Sequence, residues 1–198
     1  MPVVIGAPSS IGIRPYDDSG RPRSLDRAPD ALRNAGVVER LGAADRGDVL
    51  PPAYVDFERP PGGIRNAEQV ERYCRRLAGA VADAIGRREF PIVLGGDCSI
   101  LLGALAGAKA RRGRVGLAYI DAHADFAAPE ESRTGSAAGM CLALATGRGG
   151  GELARLMDGE PLLREEDAVL IGRRDEGRLG YAALDASAVL DITETDRL

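Results

Sequence analysis

The chain has 198 residues, of which 44% are hydrophobic and 28% charged, with a net charge of −4. Its length fits one domain of roughly 100–200 residues, and its apolar share excludes disorder as a whole-chain state. No apolar run reaches the roughly 18–20 residues that a membrane span needs, and the acidic balance carries no basic footprint for nucleic acid.

Aromatic residues make up 4%, with no tryptophan, which argues against a base-stacking or sugar-stacking platform. The opening Met-Pro-Val-Val-Ile-Gly lacks the basic segment of a secretory signal. Cys74, Cys98 and Cys141 are odd in number and widely spaced, so a disulfide framework is not expected and a cytoplasmic setting is.

In chain order, Val3-Val4-Ile5 before Gly6-Ala7-Pro8 reads as a buried strand. Residues 14–30 are polar and rich in Pro, Gly, Asp and Arg, and read as a loop. A helix is predicted from Pro29 to about Leu41, and a short strand at Asp48-Val49-Leu50. Residues 66–86 give the cleanest helix, with Asn66 as its cap and Val70, Cys74, Leu77, Val81 and Ile85 along one face. Pro91 to Leu94 is a second apolar strand, and Ser99 opens a helix that stops before Gly113. Further strands are predicted at Val115–Ile120, Ala168–Ile171 and Ala188–Ile192, with a short helix at Met140–Thr146. Asp17-Asp18, Glu130-Glu131 and Glu165-Glu166-Asp167 read as solvated loops. Continuous apolar runs separated by helices predict an α/β fold with a central parallel sheet in a single domain over residues 1–198.

In such sheets ligands bind beyond the carboxyl ends of the strands. Two strands end there in polar groups, as Gly95-Gly96-Asp97-Cys98-Ser99 and as Asp121-Ala122-His123-Ala124-Asp125-Phe126. If strand geometry persists, Asp121, His123 and Asp125 project to one face. Carboxylates with an imidazole are ligands for Mn, Fe or Zn. The same spacing also describes a hydrogen-bonded turn, and Cys98 alone also describes a small buried residue. His123 is the sole histidine, so no other imidazole can serve.

These segments, followed by Thr134-Gly135-Ser136-Ala137-Ala138-Gly139-Met140, resemble the ureohydrolase family of arginase, agmatinase and formiminoglutamase. Gly6-Ala7-Pro8, Ala28 to Arg33, Asp45 to Asp48 and Ile171 to Arg174 occur in family order. The resemblance implies a three-layer arginase-like fold with a central parallel sheet and a site for two manganese ions. It implies metal-assisted hydrolysis of a guanidino, amidino or formimino carbon–nitrogen bond. Asp121 and His123 are carried over as catalytic residues and metal ligands, Asp125 as a metal ligand, and Ser136 as a substrate-binding residue. The substrate would be a small guanidino or amidino molecule.

Four departures bear on activity. Cys98 stands where the family has a histidine ligand, and a thiolate suits Zn or Fe better than Mn. Ser136 replaces an asparagine, and Ala138 a proton-carrying histidine. The family's later Asp-x-Asp motif is not reached before Asp196-Arg197-Leu198, so the sequence is expected to be incomplete at that end. These losses predict at most one bound ion and no appreciable arginase or agmatinase activity. Strands left unpaired by an incomplete sheet predict a homo-oligomer. The alternative is a non-catalytic homologue acting as a binding or oligomerisation partner. An unrelated phosphoesterase using Asp-x-His-x-Asp would want further histidines, which the chain lacks.

Overall fold

A computed structural model describes residues 1–15, 23–55, 59–149, 151–156, 159–174 and 180–192. Asp17, Asp18 and Asp196 lie outside these described residues, as does part of the loop expected at 14–30.

The apolar run at Val3–Ile5 lies inside β1 (Pro2–Ala7), and Val3, Val4 and Ile5 are all buried. On one side β1 pairs in parallel with β2 (Ala44–Asp48), on the other with β3 (Phe90–Gly95), with Val4 opposite Ile92. A second parallel sheet has the order β4 (Leu117–Ile120), β5 (Ala168–Ile171), β6 (Leu190–Ile192). The parallel α/β architecture is as expected, but hydrogen bonding divides the central sheet into two. Among the described residues, β3 and β4 each keep one edge without a strand partner.

The helix expected from Pro29 to Leu41 is two, α1 (Ala28–Asn34) and α2 (Val37–Arg40). Gly36 separates them at φ 79°, a left-handed conformation that ends a helix. The strand expected at Asp48–Leu50 lies earlier, at Ala44–Asp48, and Val49 extends its pairing by donating to the Gly6 carbonyl at 2.8 Å. The long helix α3 (Ala67–Gly86) buries Val70, Cys74, Leu77 and Val81 as its spacing predicts. Asn66 precedes it in a left-handed conformation and makes no capping bond; its Nδ2 donates to the Ile11 carbonyl at 3.1 Å instead.

Helix α4 (Ile100–Arg112) crosses α3 through Gly103 and Gly107. A Cβ at Gly107 would sit 2.5 Å from the Ala78 carbonyl, so this crossing admits no side chain. One core lies under β1 and β3 against these two helices. A smaller core lies under β4 and β5, with Phe126, Leu142, Leu163 and Leu184. Leu101 and Leu117 pack against both cores and mark the seam between them. The short helix α5 (Cys141–Ala145) gives Leu144 to the first core and Leu142 to the second, and α6 (Tyr181–Asp185) closes the second.

Candidate functional site

The polar ends of β3 and β4 come together at the seam. Gly96 follows β3, and a Cβ there would lie 2.5 Å from the Ala7 carbonyl, so only glycine lets the ends of β1 and β3 approach this closely. Asp97 is 2% exposed and joins the loop after β1 to its own loop after β3. It accepts hydrogen bonds from the Ser9 hydroxyl (3.2 Å), the Gly12 N–H (3.1 Å) and the Ser99 N–H (2.9 Å). Burial raises its pKa, and these donors oppose the rise. Cys98 follows directly.

Beyond β4 the strand does not persist through Asp125, contrary to the alternation expected from sequence. Asp121 N–H still donates to the Ile171 carbonyl at 3.1 Å, and then the chain turns. Asp125 has φ 44°, which reverses its backbone. The turn still brings Asp121 and Asp125 together, by folding back instead of by strand pleat. One ligand atom each from Cys98, Asp121 and Asp125 lies within 4.8 Å of the others. Thiol and carboxylate oxygens at this spacing are donor types that fit a divalent metal.

His123 lies outside that cluster among the described residues. Its N–H donates to Asp121 Oδ1 at 2.9 Å, its Nδ1 lies 3.4 Å from the same oxygen, and its side chain is 52% exposed. Asp121 thus takes part in both the hydrogen-bonded turn and the candidate ligand cluster, whereas His123 belongs to the turn. Cys98 keeps exposed surface, yet burial of its thiol, then the charges of Asp125, Asp121 and Asp97, push its pKa up to about 12.

The Tyr119 hydroxyl donates to Asp125 Oδ2 at 2.7 Å. Sequence reasoning passed over Tyr119, although it stands two residues before Asp121 and hence on the same strand face. The turn is braced by the segment after β5: Arg174 N–H donates to the Ala122 carbonyl at 2.9 Å. Arg173 pairs with Asp191 at 2.7 Å and stacks over Tyr181. Asp191 is therefore an ion-pair residue of β6.

These groups open into a cavity of about 770 Å³ that also reaches Arg14, Arg133, Ser136 and Ala138. Ser136 is buried, and its Oγ accepts the Arg14 N–H at 3.0 Å. Ala138 sits 5% exposed with its N–H on the Gly12 carbonyl at 3.0 Å.

A sequence profile of the Arginase family matches residues 2–197. The arginase of Bacillus caldovelox is 36% identical over 198 residues, covering 96% of this chain and 66% of its own length. An arginase of Staphylococcus aureus is 35% identical over 179 residues, covering 87% of this chain and 56% of its own. The crystal structure of the Bacillus caldovelox arginase superposes with a TM-score of 0.86 at 35% identity, over 100% of this chain and 67% of that one. The chain thus spans 56% to 66% of the length of these sequence relatives. Profile, identity and superposition agree along the chain, which belongs to the arginase family.

Proposed function

We propose that the chain performs arginase-type chemistry: metal-assisted hydrolysis of a carbon–nitrogen bond in a guanidino, amidino or formimino compound. The observation that carries this reading is the convergence of Cys98, Asp121 and Asp125 inside one cavity, in a chain of this family. These three residues would hold the metal, with His123 as a further ligand from the same turn. The family implies two manganese ions. Four donors of which one is a thiolate suit at most one ion here, and zinc or iron above manganese.

When bound, the metal lowers the pKa of a water molecule and polarises the carbon under attack. Asp121 Oδ1 accepts the His123 N–H at 2.9 Å, which fixes the direction in which this carboxylate is presented. Ser136 keeps its hydroxyl proton to donate to substrate, because its oxygen already accepts the Arg14 N–H.

A second reading rests on Ala138. A methyl group at that cavity position can neither take nor give a proton, which favours a non-catalytic homologue that binds ligand or assembles with copies of itself. Self-association would use the strand edges: Phe90 on β3 is 68% exposed and Ile120 on β4 is 78% exposed. No helix among the described residues is long and apolar enough to cross a membrane. Three unpaired cysteines fit a reducing, cytoplasmic setting.

The test is metal content by mass spectrometry on protein purified without chelator. Urea or ammonia release from arginine, agmatine and formimino compounds is measured beside it. One zinc or iron ion with slow, chelator-sensitive release supports the hydrolase reading. A bound ion without release from any compound supports the binding-partner reading. Two manganese ions with robust arginine turnover would overturn the account of the donor set.

A further inference from the structure

The candidate ligands come from two different sheets. Cys98 follows β3, whereas Asp121 and Asp125 follow β4. Among the described residues no strand pairing joins β3 to β4. No ladder therefore sets the spacing of the thiol from the carboxylates. Leu101 and Leu117 pack across the seam, but apolar packing has no direction and cannot aim a ligand atom.

A line of hydrogen bonds crosses the seam instead. Asp97 Oδ1 accepts the Ser99 N–H at 2.9 Å, so the two residues flanking Cys98 are tied to each other. Asp97 Oδ2 accepts the Ser9 hydroxyl at 3.2 Å and the Gly12 N–H at 3.1 Å. A Cβ on Gly12 would stand 2.4 Å from Asp97 Oδ1, so the loop after β1 comes this close only with glycine there. The Gly12 carbonyl accepts the Ala138 N–H at 3.0 Å, and residue 138 leads into α5. The Leu142 and Ala143 N–H groups of α5 then hold the Asp125 carbonyl at 3.1 Å. From Gly12 to Asp125 every bond in this line is main chain to main chain. Asp97 supplies the side chain that joins it to Cys98, and Asp97 itself does not line the cavity.

We propose that Asp97 is a positioning residue: it registers the Cys98 thiol against Asp121 and Asp125 across the seam, and so sets how far the thiolate shares in binding the metal. This rests on the reading of those three residues as ligands. A carboxylate is needed because both of its oxygens accept. An asparagine would turn an NH2 group toward either the Ser99 N–H or the Gly12 N–H, and donor against donor opens one arm of the bracket.

The test compares the parent with Cys98→Ala, Asp97→Asn, Ser9→Ala and the double variant Asp97→Asn/Cys98→Ala. Each is titrated with cobalt(II), zinc and manganese alone, and circular dichroism checks the fold. Cobalt(II) on the parent is expected to show a sulfur-to-metal charge-transfer band, which Cys98→Ala abolishes and Asp97→Asn largely removes. Asp97→Asn should weaken zinc about ten- to hundredfold, while manganese, a metal for carboxylates, changes much less. On the Cys98→Ala background Asp97→Asn should cost no further zinc affinity, because both changes remove the same contact. Ser9→Ala removes one donor from Oδ2, and should act in the same direction more weakly.

Zinc affinity lost in Cys98→Ala but kept in Asp97→Asn sinks the bracket and leaves the metal centre standing. Zinc and manganese weakened alike by Asp97→Asn, and again on the Cys98→Ala background, would show a residue that only supports the fold, and overturns the proposal. Zinc affinity unmoved by Cys98→Ala removes the thiol from the donor set and the proposal with it. If Asp97→Asn does not fold, Ser9→Ala decides, and a cobalt band it leaves at full strength overturns the proposal. The coupled zinc loss in a chain without urea release keeps the proposal and sinks only the hydrolase reading.

Discussion

Two pairs of aspartates stand at strand ends in this molecule and meet opposite fates. Asp45 and Asp48, in β2 of the first sheet, are closed by Arg33, which reaches them at 2.8 Å and 2.7 Å. Arg33 also lies 3.6 Å from Asp30, and a Cβ on Gly6 would collide with Asp48 Oδ1, so the cluster is packed as well as neutralised. Asp121 and Asp125, after β4 of the second sheet, converge with a thiol, a tyrosine hydroxyl and the backbone N–H of His123. Acidic residues at a strand end therefore carry no function by themselves. What decides is whether the fold brings an arginine to them or a cavity.

Substitutions in each pair break or sharpen that contrast. Asp121→Asn removes a proposed ligand, and metal affinity should fall beyond the roughly 100-fold typical of losing an outer partner. Its thermal midpoint should stay near that of the parent, as Asp121 braces no core. Metal titration beside calorimetry separates the two effects. Tyr119→Phe deletes the bond to Asp125, and should weaken metal binding about tenfold at a stability cost of about 1 kcal/mol.

Arg33→Ala should leave metal binding unchanged and cost about 1 kcal/mol, a value kept small because Asp45 is still 36% exposed. The Arg33 hydrogen bond, then the Gly47 N–H, lowers the Asp45 pKa from 3.8. A carboxylate depressed in the folded state adds stability above its unfolded pKa and loses it as the pH falls through the folded value. The cost of Arg33→Ala should therefore be full at neutral pH and shrink in acid below about 3.8, as urea unfolding at several pH values would register. Asp45→Asn should give the smallest effect, about 0.5 kcal/mol in stability and none on metal. A change in metal affinity there would mean that the two pairs are coupled.

The strands β1, β3 and β5 were legible because each contains a continuous apolar run, and α3 because its apolar stripe keeps helical spacing. Strand β2 was misplaced because Ala-Asp-Arg-Gly-Asp has no apolar pattern; its pairing with β1 and the grip of Arg33 hold it extended. The join of α1 to α2 was misread because Gly36 breaks a stripe that otherwise continues. At the site, Asp121, Asp125 and Cys98 were visible as polar residues ending strands. The turn that joins them was not, since it depends on Arg174 and on α5, far along the chain. Arg14 escaped for the same reason: its N–H meets Ser136 Oγ, 122 positions further along the chain.

The left-handed Asp125 has a consequence for any attempt to remake this site. Its carbonyl accepts the N–H groups of both Leu142 and Ala143 at 3.1 Å, so the first turn of α5 grips the reversed backbone. The direction of the carboxylate is then set by main chain more than by rotamer choice, and little disorder is left to lose on chelation. The left-handed backbone favours glycine, asparagine and aspartate at this position, the residues that accept it at low cost. Of these only aspartate brings a charge. A glutamate ligand at 125 would add backbone strain to the change of donor, a cost that position 98, with its ordinary negative φ, does not carry.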